Sequence, residues 1–217
     1  MKKLFNKLRG KTESGQPKLA HPRQLSVGDF LKLDDSFALP SLLRNAMLEV
    51  LEVNTSQFEF SHEPEWILQG ETGQAIFFSI IEEDGESSAA FSIKVERGDV
   101  EALFDMDQFS GIFEDELPAC LQVKASDGPL SSWLAETYEQ DGQSERGYFY
   151  RQDYRGSQPP ATEGSGEPFD YYCLCNGEGT HALEIEVWGS GETDVLLTLY
   201  RPLSDIRELW PAGKASP

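Results

Sequence analysis

Residues 68–104, LQGETGQAIFFSIIEEDGESSAAFSIKVERGDVEALF, and residues 174–210, LCNGEGTHALEIEVWGSGETDVLLTLYRPLSDIRELW, match without a gap when the chain is slid against itself by 106 positions. Six positions are identical: Leu68/Leu174, Gly73/Gly179, Gly85/Gly191, Glu86/Glu192, Asp99/Asp205 and Leu103/Leu209. Apolar character agrees at others, as in Phe77/Leu183, Phe91/Leu197 and Phe104/Trp210. Each stretch reads as strand, turn at Gly73 or Gly179, strand, turn at Asp84-Gly85 or Ser190-Gly191, strand, then a short helix. Glycine stands where a tight turn needs positive φ. After the third strand, Asp99 or Asp205 puts an acid at a helix start, followed by Val100 and Leu103 or Ile206 and Leu209 at i, i+3 spacing. The expected fold class is therefore α+β and β-rich. It consists of a mainly antiparallel sheet from two tandem hairpin-plus-short-helix repeats, at about 66–104 and 172–210, with short peripheral helices.

Outward from the repeats, Leu25, Val27, Phe30, Leu31 and Leu33 suggest a first strand around a Gly28-Asp29 bend. Pro40 to Met47 reads as a helix, with Pro40 in the first turn and Leu42, Leu43, Ala46 and Met47 at helical spacing, before a strand from Leu48 to Val53. Between the copies, Leu130, Trp133, Leu134 and Tyr138 suggest a helix over 129–140, and Gly147 to Tyr154 an aromatic strand. Gly156 to Pro168, rich in Gly, Pro and Ser, is expected to be a mobile, exposed loop. Residues 24–217 form one expected globular domain, and 1–23 a basic flexible segment.

The 217 residues are 39% hydrophobic and 11% aromatic, enough to bury a core and fold without a cofactor. The formal charge is −20. Residues 1–23 hold seven Lys/Arg against Glu13, a net of +6, which leaves eleven basic against 37 acidic residues, or −26, on the rest. Such a body repels phosphate backbones, so no nucleic acid is expected as partner, and a protein with a basic surface is. In Met1 to Lys11, Leu4, Phe5 and Leu8 share a helical face among Lys2, Lys3, Lys7, Arg9 and Lys11. This segment is either a disordered solubilising start or a peripheral contact with the inner membrane, made by Lys2, Lys3, Leu4, Phe5, Lys7, Leu8 and Arg9. Three cysteines, no secretion signal and no run of 18 apolar residues point to a reducing cytoplasm.

Candidate chemistry is sparse. The acids Asp105, Asp107, Glu114, Asp115 and Glu116 miss a calcium loop, because Phe109 and Ser110 occupy its fifth and sixth positions. Cys173, Cys175 and His181 are three metal-capable side chains without a fourth, so the thiols are read as small hydrophobes on a strand's core face and no metal is assigned. No Gly-x-Ser-x-Gly elbow accompanies His21, His62 or His181, and Gly177-Glu178-Gly179 lacks the features of a phosphate loop. No catalytic residue is assigned. Trp66 and Tyr172 precede the two copies by two residues, each after an acid-Pro pair, Glu63-Pro64 and Glu167-Pro168. They either floor a shared groove or plug the sheet core.

The stretches MKKLFNKLRGK (1–11), LSVGDFLKLDD (25–35), EPEWILQGETGQAIFF (63–78) and FSIKVERGDVEALFDMDQFSGIFEDE (91–116) together resemble the YjfK-like family of bacterial proteins. Genes of that family stand beside those of PspA-type membrane-stress proteins, so the resemblance implies an accessory role near the inner face of the envelope, with no active site to carry over. The leading expectation is a non-enzymatic binding or adaptor protein in a membrane-stress system. The other is a small-ligand-binding protein or enzyme with its site in the cleft between the repeats, near Trp66, Tyr172 and His181. A concave, partly apolar pocket with buried ionisable groups favours the second.

Overall fold

The computed structural model describes residues 19–213 apart from 84, 115–117, 125–126 and 161–163. The strands are β1 (Phe30–Leu33), β2 (Met47–Gln57), β3 (His62–Gln69), β4 (Ala75–Glu83), β5 (Glu86–Val95), β6 (Cys120–Gln122), β7 (Thr137–Gln140), β8 (Glu145–Tyr150), β9 (Glu167–Cys175), β10 (His181–Trp188), β11 (Thr193–Pro202) and β12 (Ile206–Trp210). Among the described residues, two short helices, α1 (Arg97–Leu103) and α2 (Met106–Ser110), and several single 3₁₀ turns accompany the strands. Among the described residues, no helix is long and apolar enough to cross a membrane.

The twelve strands among the described residues belong to one sheet, which closes on itself. β2, β3, β4 and β5 form one antiparallel run, and β8, β9, β10 and β11 another. Antiparallel pairing of β5 with β11 and of β2 with β8 joins the two runs at both sides. The result is an eight-strand barrel. β2 also carries β1 and β12, and β9 carries β7 and β6, as flaps outside the ring.

The strands form where period-two patterns meet good turns. β4 and β5 are joined through Gly85, at φ +82, and β10 and β11 through Gly191, at φ +91, conformations that an L side chain adopts only under strain. α1 begins with the Asp99 carboxylate accepting from the Glu96 backbone N–H, and Val100 and Leu103 are buried beneath it. α2 is capped by Asp105, whose Oδ1 accepts from the N–H groups of Asp107 and Gln108.

The hydrophobic core lies on the outer face of the barrel wall. Trp66, Leu68, Phe78, Phe91, Ile93, Leu174, Leu183, Ile185 and Leu197 are buried there together with Leu31 and Leu209 of β1 and β12, Leu121 and Tyr138 of β6 and β7, and Val100 and Phe104 around α1. Burying these rings and branched chains stabilises the fold at about 25 cal/mol per Å² of apolar surface. Phe78 lies between Trp66 and Phe91, with ring centroids 5.4 and 5.1 Å away. The flaps and helices thus act as the lid of the core, and the inner face of the ring is left for other residues.

Several sequence expectations are corrected. Residues 40–47 form no helix: the N–H groups of Leu43 and Arg44 both donate to Pro40 O, and the turn ends at Asn45, whose φ is +53. In 129–140 only Ser131–Trp133 is helical, as a 3₁₀ turn, and Thr137–Gln140 is strand β7, held by β6. The first strand begins at Phe30 rather than Leu25. The helix expected after the third strand of the second copy is instead a 3₁₀ turn, Leu203–Asp205, followed by β12, because pairing with β1 offers those backbone groups a ladder. Gly156 to Pro168 is partly held: the Tyr150 hydroxyl donates to Pro160 O at 3.3 Å, and β9 already starts at Glu167. The ordered body begins before Gln24, since Leu19 packs on the core and Arg23 pairs with Glu82 at 2.8 Å.

Candidate functional site

Alternation along a strand sends neighbouring side chains to opposite faces, and in the ring one face is enclosed. In β3, Trp66 and Leu68 face the outer core while Glu63, Glu65 and Ile67 face inward; in β10, Leu183 and Ile185 face outward while Glu184, Glu186 and Trp188 face inward. β3 and β10 lie on opposite sides of the ring, yet the Glu65 carboxylate feels the charges of Glu184 and Glu186. Only an inward orientation brings them that close. In β2 a bulge between Val50 and Glu52 shifts the register, so that Leu48 and Val50 face the core but Glu52 and Asn54 face inward.

The lumen so formed holds two adjoining cavities that share Glu65 and Glu186. The central one, about 440 Å³, is lined by Phe58, Ser79, Phe169, Tyr171, Cys173, Glu184 and Tyr200 among others. The one toward one end, about 330 Å³, is lined by Glu52, Phe77, Lys94, Phe149, Arg151, Trp188, Asp194 and Leu196 among others. At the opposite end a mouth of about 710 Å³, with Glu83, Glu86, Asp141 and Cys175, shares Ile81, Cys173 and Tyr200 with the central cavity. These volumes fall in the range of small-ligand sites, and an eight-strand ring is wide enough for one small guest.

The walls combine carboxylates with aromatic rings. Phe169 meets Trp188 at 5.2 Å and Phe58 at 5.8 Å between centroids, and Phe149 meets Trp188 edge-on at 5.6 Å. Gly147 makes the Phe169 position possible: a Cβ there would stand 2.4 Å from Phe169 Cζ, so the ring lies across bare backbone.

The acids are poorly compensated. Lys94 Nζ pairs with Asp194 Oδ1 at 2.6 Å. Glu184 accepts from the Tyr200 hydroxyl at 3.4 Å, and Thr198 and Tyr171 also hydrogen-bond it. Glu65 has no hydrogen-bonding or cationic partner among the described residues, and its exposure is to the enclosed lumen. Burial, together with Glu186, Glu184 and Glu52, holds the Glu65 carboxyl well above the usual range. Burial raises Glu184 as well, against the pull of its hydroxyl donors. Glu186 is pushed up to about 8 by burial and by Glu184 and Asp194, with Lys94 opposing. Burial and mutual repulsion thus disfavour the charged form of all three carboxyl groups, which face one another from opposed walls.

At the central cavity's edge the thiols of Cys173 and Cys175 lie 3.7 Å apart and face the lumen rather than the core, which corrects the sequence reading. Hydrogen bonding from Cys173 lowers the Cys175 thiol, and the same bond, with burial, raises Cys173. Among the described residues, no group of three His, Cys, Asp or Glu converges to hold a metal ion.

The three residues singled out from sequence are not brought together, and none lines the lumen. Trp66 is fully buried on the outer face, where its indole Nε1–H donates to Leu25 O at 3.0 Å and the Arg155 guanidinium lies 5.3 Å from its ring. Tyr172 is half-buried on the same side, edge-on to Phe113 at 5.1 Å. His181 opens β10 with Nδ1 3.0 Å from Thr180 Oγ1, and burial, with Arg201, lowers its pKa. Lys2, Lys3, Leu4, Phe5, Lys7, Leu8 and Arg9 lie outside the described residues. The site missed from sequence carries one local signal, paired acids at alternate positions in Glu63-Pro64-Glu65 and Glu184-Ile185-Glu186.

Fold and site together define a closed antiparallel β-barrel with an acidic, aromatic interior. Compared with known proteins, the chain matches no family model, and no curated protein or solved structure shows significant similarity to it.

Proposed function

We propose that the protein is a binding protein whose barrel lumen receives a small organic cation. The observation that carries this reading is the convergence of Glu65, Glu184 and Glu186 from opposed walls into a cavity that also presents Phe58, Phe169, Tyr171 and Tyr200. A buried carboxylate without a partner is costly. A guest bearing positive charge relieves that cost and gains cation–π contact with the rings. Calorimetric titration of the full-length protein with tetramethylammonium and alkylammonium salts, and with carboxylates of matched size, tests it. Saturable binding of the cations alone, weakened in Glu65→Gln/Glu186→Gln, is expected; binding of neither class, or equal binding by the variant, overturns it.

The basic protein partner and the membrane-stress role rest on the −26 body and on the family resemblance. We read the chain as cytoplasmic, with residues 1–11 touching the inner membrane; support comes from their basic amphipathic pattern. Liposome co-sedimentation of the full chain beside one lacking residues 1–23 decides this, and equal pelleting removes the tether.

The finer reading of the barrel as two copies of one ancestral unit is supported by β3–β4–β5 and β9–β10–β11 sharing pairing order, by the Gly85 and Gly191 turns, and by Phe91 and Leu197 both lying in the core. Against it stand α1 opposite β12, and Phe77 and Leu183 on opposite faces of the wall.

A further inference from the structure

The lumen is longer than a single ammonium group needs. Carboxylates line it from end to end: Glu83, Glu86 and Asp141 at the mouth, Glu63 and Glu184 in the centre, Glu65 and Glu186 where the two inner cavities adjoin, and Glu52 and Asp194 toward the far end. Apolar side chains are interspersed among them, Ile81 on the mouth side and Ile67, Phe77 and Leu196 toward the far end. The same lining residues pass from one cavity to the next, so one guest can span them. At the far end Asp194 is already answered by Lys94 Nζ at 2.6 Å and Arg151 lines the same cavity, so the carboxylates left to a guest are Glu65, Glu184 and Glu186 and those nearer the mouth.

From this elongated acidic lining we propose, building on the organic-cation reading above, that the lumen's ligand class is the linear aliphatic polyamine. Such a molecule carries ammonium groups separated by methylene runs, which matches carboxylates spread along a lumen with apolar side chains among them. A compact monocation answers one part of that lining and leaves the rest as it was. A metal ion requires at least three converging oxygen or sulfur ligands, an arrangement that no group among the described residues offers. The Glu65 carboxylate, enclosed and without a partner, is the central anchor. Each ammonium that docks also holds a carboxyl in its charged form, so binding expels protons from the lumen.

The experiment titrates the full-length protein with spermidine, 1,4-diaminobutane and n-butylamine at one ionic strength, in two buffers of different ionisation enthalpy so that proton release is counted. Affinity is expected to rise about tenfold or more from butylamine to diaminobutane and again to spermidine, as each added ammonium binds at the effective concentration set by its tether. Protons are expected to leave at neutral pH, and Glu65→Gln/Glu186→Gln should lose both the length dependence and the release. If butylamine binds as tightly as spermidine, the polyamine assignment fails while the organic-cation reading stands. If no amine binds, both fail. Unchanged spermidine binding by the variant, without proton release, means adsorption to the acidic exterior and overturns the assignment. Capture of a lysine-rich peptide but of no free amine likewise overturns it, in favour of a protein partner.

Discussion

Ser92 Oγ and Thr198 Oγ1 lie 2.7 Å apart, both buried, where β5 and β11 close one side of the ring. The two residues are 106 positions apart, the same interval at which the chain matches itself. Thr198 in turn hydrogen-bonds Glu184, so a hydroxyl pair links the seam to the lumen. Ser92→Ala leaves a buried hydroxyl short of a partner and should cost about 1–3 kcal/mol by urea denaturation. Ser92→Ala/Thr198→Val should cost less than the sum of the singles, and strict additivity contradicts the contact.

The barrel should lose stability as pH rises. Glu186 keeps its proton to about 8 when folded but releases it near 4.5 when unfolded. The folded state thus binds more protons between these values. Its contribution is complete below the unfolded pKa and is lost as pH climbs through the folded one, with a slope of up to about 1.4 kcal/mol per pH unit. Glu65 and Glu184 shift in the same direction. The groups facing Glu186 are Glu184, Glu65 and Asp194, with Lys94 opposing them. Denaturant midpoints from pH 5 to 8.5 should fall for the native chain and fall less for Glu186→Gln, which should be the more stable protein at pH 8. Parallel curves refute the assignment.

Gly147→Ala should displace Phe169 from its place across the backbone, since the new methyl carbon would stand 2.4 Å from Phe169 Cζ. A cost of about 1–3 kcal/mol is expected from overpacking. Because Phe169 lines the lumen beside Trp188, near-UV circular dichroism should change with it. A native spectrum with native stability would show that the ring has room to move.

Trp66→Phe should separate scaffold from site. It strips the donor from Leu25 O on the outer face and should cost about 1–3 kcal/mol in thermal or chemical unfolding. Cation binding by the folded fraction should stay within about twofold of native, well below the tenfold that 1.4 kcal/mol represents. A large loss of affinity would place Trp66 in the site after all.

The strands around the hairpins were legible because period-two patterns and glycine turns are local: β4, β5, β10 and β11 follow from the matched stretches almost directly, whereas β3 (His62–Gln69) and β9 (Glu167–Cys175) lie mostly ahead of them. Closure was not, because it rests on pairs such as Thr55 with Tyr150, far apart in sequence and unmarked by any motif. The same gap hid the site. Alternation reveals that Glu184 and Glu186 share a face opposite Leu183 and Ile185, but not which face the ring encloses. Acids are expected outside, and here the covering flaps invert that order. Residues 203–210 carry an apolar spacing that suits a helix, yet the free edge of β1 captured them as β12. In Pro40 to Met47 the apolar spacing was real, but Asn45 turned the backbone left-handed before a second turn formed.

β2 and β9 each hydrogen-bond to three other strands, which leaves the eight-membered wall without a loose stave. The shortest seam of the ring is the three residue pairs between β2 and β8, so sideways opening there is a local event rather than global unfolding. A guest's residence time in the interior therefore answers to that short seam as well as to the hairpin rim around Gly85 and Gly179.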